Sequence, residues 1–362
     1  MQFIPYFRVS NYIYCTNALI ATLFPLPRQI VTTLAGVFNS YSLGLGIVNG
    51  VGTYATFYNP LGVALDSNRN VYVADSFNNL IRKISSSGVV STYAGSSQGS
   101  SNGYGTNAEF CGLYGIAIGA DGVMYIADSG NNFIRKIDTS GLVSTLAGND
   151  GASGVSTNGL GTYASFNNPS GVTVNFENSK LSIADTDNHL IRAIDLTTSL
   201  VSTYGGTGSS GTTNGFIKIS EFNSLKAICF DSSGVAFVAD TGNNVIRKIS
   251  ANQVSTFAGT FSYASSINGV GTYASFYTPY GIAVDSSGNV FVAEGGIFSS
   301  NFIRVISSSG VVSTYAGSDV GNGYVDGLGT FAKFDTPSSV ALDSSGNVYV
   351  ADCGNNLIRK VR

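Results

Sequence analysis

The chain has 362 residues, of which only 11% are charged, with a net charge of -3, one histidine, four cysteines and no tryptophan. A surface so sparsely charged sets up no field to concentrate a polyanion, which argues against nucleic-acid binding, and a lone histidine cannot build a histidine-based zinc centre. The cysteines, Cys15, Cys111, Cys229 and Cys353, show no C-x-x-C spacing, so neither a zinc ribbon nor a disulfide framework follows.

Residues 1–30 stand apart as a leader or signal segment. Tyr12 to Phe24 is fairly apolar behind Arg8, the order of a signal peptide, but Asn17 interrupts it and no Ala-x-Ala site follows. Secretion and cytoplasmic residence are left equally open. Nothing else approaches the ~20 apolar residues that a membrane span requires.

From residue 31 onward the chain is a repeat, with a cassette of about 55 residues recurring six times. The first cassette shows four strand-like segments separated by Gly, Ser and Asn turns: Gly62 to Asp66, Val71 to Ala74, Leu80 to Ile84 and Val90 to Gly95. Four antiparallel strands per cassette make a propeller blade. The expected blades are residues 57–95, 110–148, 166–206, 222–259, 276–317 and 334–362. The last stops after its third strand, at Arg362. Its missing fourth strand stands at the other end of the cassette region, as Val31-Thr32-Thr33-Leu34-Ala35-Gly36, so residues 31–36 are expected to pair with Leu357 to Val361 and close the ring. The fold class is therefore all-β: a single six-bladed β-propeller over residues 31–362, expected to be monomeric.

Charged residues recur at fixed places within the cassette. An acid precedes an Arg by seven residues in Asp75 and Arg82, Asp128 and Arg135, Asp185 and Arg192, Asp240 and Arg247, and Asp352 and Arg359, and by ten in Glu294 and Arg304. A tight turn between the strands brings carboxylate and guanidinium within reach, and their presence in every blade marks them as structural ion pairs rather than a catalytic ring. His189 fills the turn position held elsewhere by Asn79, Asn132, Asn244 and Asn356, and reads as a turn variant; no Gly-x-Ser-x-Gly elbow offers it a nucleophile.

Where the copies disagree, binding is the better reading. Long loops lead from each fourth strand to the next inner strand and carry a Phe in every blade (Phe57, Phe110, Phe166, Phe222, Phe276, Phe334), expected to plug between blades. Tyr104, Tyr114, Tyr280 and Tyr324 differ from blade to blade on this long-loop face and are the candidate contacts for a protein or glycan. Before the Phe stand Thr56, Glu109, Ser165, Glu221, Ser275 and Lys333. If that position faces the tunnel mouth, Glu109, Glu221 and Lys333 converge there. No cofactor is called for, although Glu109 and Glu221 are the candidate ligands for a calcium ion.

The line Gly-Val-Ala-x-Asp, then Asn-Val-Tyr-Val-Ala-Asp-x-x-Asn-Asn-x-Ile-Arg-Lys-Ile, then Val-Ser-Thr-x-Ala-Gly, with the loop Asn-Gly-x-Gly-Thr-x-Ala-x-Phe, resembles the NHL repeat over roughly residues 30–362. The resemblance implies a six-bladed propeller that serves as an interaction platform. The RNA-binding members use a basic face that this chain lacks, and the amidating-lyase branch uses zinc-bound histidines where this chain has only His189. Related six-bladed lactonases hold calcium at the tunnel mouth. The expected function is thus a non-enzymatic binding propeller, with a calcium-dependent hydrolase as the alternative.

Overall fold

In five of the six cassettes the second strand is buried along its whole length, as in Val71–Asp75, Met124–Asp128 and Val348–Asp352, and in the third only Lys180 at its start is exposed. Strands of this kind lack a solvent face because neighbouring sheets cover both sides, which is why they read Val-Tyr-Val-Ala-Asp instead of alternating with polar residues. The computed structural model describes residues 29–38, 46–149, 156–175, 179–261, 264–295, 300–318 and 321–362. The apolar stretch Tyr12 to Phe24, with Cys15, lies outside the described residues.

Six antiparallel sheets follow one another round a ring. Blade I runs outward from Pro60–Leu65 through Val71–Asp75 and Leu80–Ile84 to Val89–Ala94. Each sheet has a fifth strand beyond the four expected. Gly50–Val51 pairs with the outer strand of blade I, and Gly103–Tyr104, Gly159–Leu160, Gly215–Phe216, Gly269–Val270 and Gly327–Leu328 do the same for the others. The long loops are long because they wrap the outer edge of a blade, covering what would be an open sheet edge.

The ring closes as expected. Ile30–Ala35 lies antiparallel to Leu357–Val361, with Val31 opposite Val361 and Thr33 opposite Arg359, and Ile30 and Arg362 exchange backbone hydrogen bonds of 3.0 Å.

The core consists of six apolar interfaces between blades. In one, Tyr72, Ala74, Ile81 and Ala94 of blade I meet Phe110, Ile116, Met124 and Val143 of blade II. All six loop phenylalanines are fully buried in such interfaces. Residue pairing skips one residue of each outer strand, at Tyr93, Leu146, Tyr204, Phe257, Tyr315 and Leu34. A bulge of this kind re-aims a side chain, and the skipped residue packs at an interface between blades in every case.

At the axis the inner strands touch. A Cβ on Gly62 would lie 2.1 Å from the carbonyl oxygen of Tyr114, one on Gly115 2.5 Å from that of Ser170, and one on Gly171 2.6 Å from that of Lys226. Glycine is required there because no side chain fits between the backbones.

Candidate functional site

The six acid–Arg pairs close at 2.6–2.9 Å with both side chains inaccessible to solvent. In blade II the Arg135 guanidinium donates to Asp128 Oδ2 (2.8 Å), to the carbonyl oxygens of Glu109 (2.9 Å) and Ser101 (3.0 Å), and to Asn102 Oδ1 (2.9 Å). Its central carbon lies 5.1 Å from the Phe110 ring centroid. The other Asp128 oxygen accepts the Cys111 N–H, and the Asn131 amide donates to Oδ2. Strand turn, blade and incoming loop are thereby fastened at one point.

The arrangement repeats closely in the next two blades. Arg192 donates to Asp185 (2.8 Å), to the carbonyl oxygens of Ser165 (2.9 Å) and Thr157 (2.7 Å), and to Asn158 (3.0 Å), over the Phe166 ring. Arg247 donates to Asp240 (2.7 Å), to the carbonyl oxygens of Glu221 (3.0 Å) and Thr213 (2.9 Å), and to Asn214 (2.8 Å), over Phe222. Blade V keeps the pair despite its longer interval, because Glu294 carries one methylene more and still reaches Arg304 at 2.6 Å. The sequence reading of these residues as ion pairs fell short in one respect. It paired each Arg with a single carboxylate, whereas Arg82, Arg135, Arg192, Arg247 and Arg359 each hold the incoming loop as well.

Burial is the largest influence on these carboxyls. It pushes Asp75 and Asp352 up to about 6 against the opposing pull of Arg82 and Arg359. Asp128, Asp185, Asp240 and Glu294 are raised for the same leading reason, against Arg135, Arg192, Arg247 and Arg304. A carboxylate sealed from water and bonded on both oxygens has no approach for a substrate, so this ring of charge belongs to the architecture.

The Asn three residues before the Arg, left-handed in blades I, II, IV and VI, does a second job that the sequence did not reveal. Asn79 Oδ1 accepts the Gly112 N–H of the next blade at 3.1 Å, and Asn132, Asn244 and Asn356 bond onward to Asn168, Thr278 and Asn59. Asn301 does the same in blade V, bonding to Thr336. His189 adopts the same left-handed conformation (φ 56°), and its Nδ1 accepts the Ser224 N–H at 3.0 Å. That bond places the ring proton on Nε2. The histidine is a link in the ring, as its turn position suggested.

The residues that distinguish the blades occupy three separate places. Tyr114 and Tyr280 stand one residue into inner strands and both line a small axial cavity. Burial holds the Tyr114 hydroxyl well above its usual range, with Tyr280 and Cys353 adding to it, and Tyr280 is raised by burial and by Cys353. The Lys226 ammonium stands 5.4 Å from the Tyr114 ring, and the Cys353 thiol donates to Asn59 Oδ1 at 2.7 Å. The axial cavity bordered by Tyr114, Lys226 and Tyr280 holds about 80 Å³, below the size of an organic ligand site. Tyr104 lies on the circumference, 59% exposed. Tyr324 is 49% exposed and stacks on Phe38 at 3.8 Å.

Glu109, Glu221 and Lys333 fasten their own loops. The Glu109 carboxylate accepts from Ser101 (2.7 Å) and Ser97 (3.0 Å), which hold its pKa below the usual range, and Glu221 accepts from Thr213 at 2.6 Å. Lys333 lies along Gly323, where a Cβ would come 3.1 Å from its Cδ. Thr56, at the same position in blade I, accepts the Val48 N–H. Among the described residues no group of three His, Cys, Asp or Glu is gathered to hold a metal ion.

Sequence reasoning overlooked the outward face of the loops. Tyr54, Tyr163 and Tyr273 occupy one repeated position, where each follows Gly-Thr in a short 3-10 turn, and they are 80%, 82% and 87% exposed. The signal was present in the Gly-Thr-Tyr repeat, but repetition of the motif suggested packing.

Six sheets in a closed ring, fastened blade by blade by buried acid–Arg pairs, define a six-bladed β-propeller built from repeats. The family profile described as NHL repeat matches residues 57–84 and 334–361. The chain is a six-bladed propeller that carries NHL repeats. It is similar to NHL repeat-containing protein 2 of Bos taurus, with 29% identity over 272 residues, covering 66% of this chain and 36% of that protein. Teneurin-4 of Homo sapiens is 32% identical over 139 residues, covering 33% of this chain and 5% of its own length. The chain thus spans about a third or less of these curated relatives.

Among solved structures, a Bacteroides thetaiotaomicron protein of unknown function superposes with a TM-score of 0.72 at 20% identity, covering 92% of this chain and 75% of that one. A gluconolactonase from Xanthomonas campestris gives 0.58 at 14% identity, covering 96% and 93%, and a streptogramin B lyase gives 0.54 at 13%, covering 92% and 98%. These likenesses establish the fold alone. No helix among the described residues is long and apolar enough to cross a membrane.

Proposed function

We propose that the protein is a non-enzymatic binding propeller that recognises a protein or a glycan through its inter-blade loops. The observation that carries this reading is the repeated display of loop tyrosines, Tyr54, Tyr163 and Tyr273, almost fully in solvent, with Tyr104 and Tyr324 as further exposed tyrosines on other loops. Tyrosine is a rigid, amphipathic contact residue that loses little conformational entropy on binding, and loops on a rigid scaffold are where recognition residues collect. The ionisable side chains that every blade shares are meanwhile consumed by the fold.

The test compares the parent with a Tyr54→Ser, Tyr163→Ser, Tyr273→Ser variant on glycan and protein arrays, after melting curves establish that both are folded. Retention of a ligand by the parent and its loss by about tenfold or more in the variant is expected. Equal retention by the two overturns the loop-tyrosine reading.

The rival reading, a calcium-dependent hydrolase, rests on Glu109 and Glu221. A calcium titration followed by thermal melting separates the two. Strong stabilisation by calcium that disappears in Glu109→Ala or Glu221→Ala favours the hydrolase.

A further inference from the structure

The interface between blades III and IV lacks a part that the other five possess. At one level of the ring the second strand places an aromatic side chain toward the next blade: Tyr72, Tyr125, Phe237, Phe291 and Tyr349, all buried. In blade III the residue in that register is Ser182. Its cross-strand neighbour is Ala193, where blades I, II, IV and VI have Lys83, Lys136, Lys248 and Lys360. Two large side chains are replaced by two small ones at the same spot.

A cleft of about 750 Å³ opens there, lined by Ser182, Ala193, Ser202 and Tyr204 of blade III and by Phe216 and Phe230 from the blade IV side. Its volume lies in the range of small-molecule sites. Elsewhere the bulged residue of the outer strand packs on the missing aromatic: Tyr93 on Tyr72 at 5.2 Å edge-on, Phe257 on Phe237 at 5.1 Å, and Tyr315 on Phe291 at 5.0 Å edge-on. Tyr204 is the bulged residue of blade III, and it shares the cleft with Ser182 where the others meet a ring. Where rings occupy this level they also attract a cation, as Lys83 does over Tyr72 (5.5 Å) and Lys360 over Tyr349 (4.7 Å). In this cleft Lys180 and Lys218 stand on the lining together with Asp195 and Asp231, and Lys218 donates to the Thr203 carbonyl.

We propose that the cleft between blades III and IV is a binding site for an aromatic ring supplied from outside, which takes the place that Tyr72 and its equivalents fill from within at five other interfaces. The ring packs against Tyr204, as Tyr72 packs on Tyr93. The hydroxyls of Ser182 and Ser202 and the two lysines favour a ring with a polar substituent, a phenol above all. Such a ring is available either as a small molecule or as a tyrosine side chain of a polypeptide. The site lies between two blades and does not depend on the loop tyrosines.

The experiment titrates the full chain with p-cresol, with N-acetyl-tyrosinamide and with cyclohexanol as a non-aromatic control, by calorimetry and ligand-observed NMR. Saturable one-to-one binding of a phenol, with cyclohexanol bound at least about tenfold more weakly, is expected. The S182Y/A193K variant restores the side chains of the other blades, and it is expected to lose phenol binding while melting at or above the parent temperature. Tyr204→Ala is expected to weaken binding by about threefold to tenfold, the worth of one ring pair, and it decides the matter if S182Y/A193K does not fold. Tighter binding of N-acetyl-tyrosinamide than of p-cresol assigns the ring to a polypeptide, and the reverse order assigns it to a small molecule. Absence of phenol binding, or binding unchanged in S182Y/A193K or in Tyr204→Ala, overturns the proposal.

Discussion

Replacing Arg135 with Met is the sharpest test of the buried pairs. The substitution keeps an unbranched apolar stem over Phe110 and removes the donors to Asp128, Glu109, Ser101 and Asn102. The Asp128 carboxylate then stays sealed in the interior with only the Cys111 N–H and the Asn131 amide. Removing one partner of a buried pair costs about 3–5 kcal/mol, whereas a solvated pair is worth about 0–1. Domains are stable by only about 5–15 kcal/mol, so Arg135→Met consumes a large share of the total. At about 2 °C per kcal/mol for a ring of this size, the melting temperature falls by about 6–10 °C. Arg192→Met and Arg247→Met, which break the same set of bonds one and two blades further on, are expected to cost the same within about 1 kcal/mol.

Urea denaturation supplies the free energy and calorimetry the temperature. Asp128→Leu combined with Arg135→Met leaves no unpaired charge, so the double variant is expected to lose less than the sum of the two single losses. A loss below about 1 kcal/mol for Arg135→Met, or strict additivity in the double variant, refutes the claim that the pair acts as a buried unit.

The remaining predictions concern closure, the histidine and pH. Deleting residues 1–36 removes Val31 and Ala35 from the two interfaces that flank the last blade and strips Leu357–Val361 of its outer partner, so the truncated ring is expected to lose cooperative melting at the parent temperature; unchanged calorimetric melting contradicts the closure. His189→Asn is expected to hold stability within about 0.5 kcal/mol, because Asn makes the same onward bond in other blades, whereas His189→Ala leaves the Ser224 N–H without its acceptor and costs about 1–3 kcal/mol. Asp75 and Asp352 titrate near 6 when folded and near 4 when unfolded, so the folded ring binds more protons in that window. Stability from this source is therefore greatest at the acid end and is lost as pH rises through about 6. Asp138, held below its ordinary range first by Ser140, acts in the opposite sense and loses its contribution as pH falls through its folded pKa. Melting scans across pH are expected to peak between about pH 4 and pH 6, and a monotonic rise toward neutrality contradicts this.

The repeat made blade number, ring closure and the acid–Arg pairs legible, because each is a pattern copied in order along the chain. The fifth strand escaped notice for a physical reason. Two residues such as Gly50–Val51 carry no periodicity, and their pairing depends on the edge of another segment. Glu109 and Glu221 looked like a convergent pair because a sequence cannot show that Ser101 and Thr213, eight residues before them, take up their carboxylates within the loop. The missing ring at Ser182 was written in the sequence all along. It becomes visible only when strand register aligns Tyr72, Tyr125, Ser182, Phe237, Phe291 and Tyr349 on one level.

The way the ring is closed also decides how it answers tension. Ile30 and Arg362 bond each other at the same end of an antiparallel pair, so the first and last strands of the ring meet side by side there. A pull applied at Ile30 and Arg362 loads that ladder from one end, opening Val31–Val361, then Thr32–Lys360, then Thr33–Arg359 in succession rather than shearing all of them together. At the third step it meets Asp326, whose carboxylate holds the Thr33 N–H at 2.9 Å and Arg359 at 2.6 Å, beside the sealed Asp352 pair. The seam is a zipper whose stop is a knot of charge three residues in, where the other blades place only an asparagine.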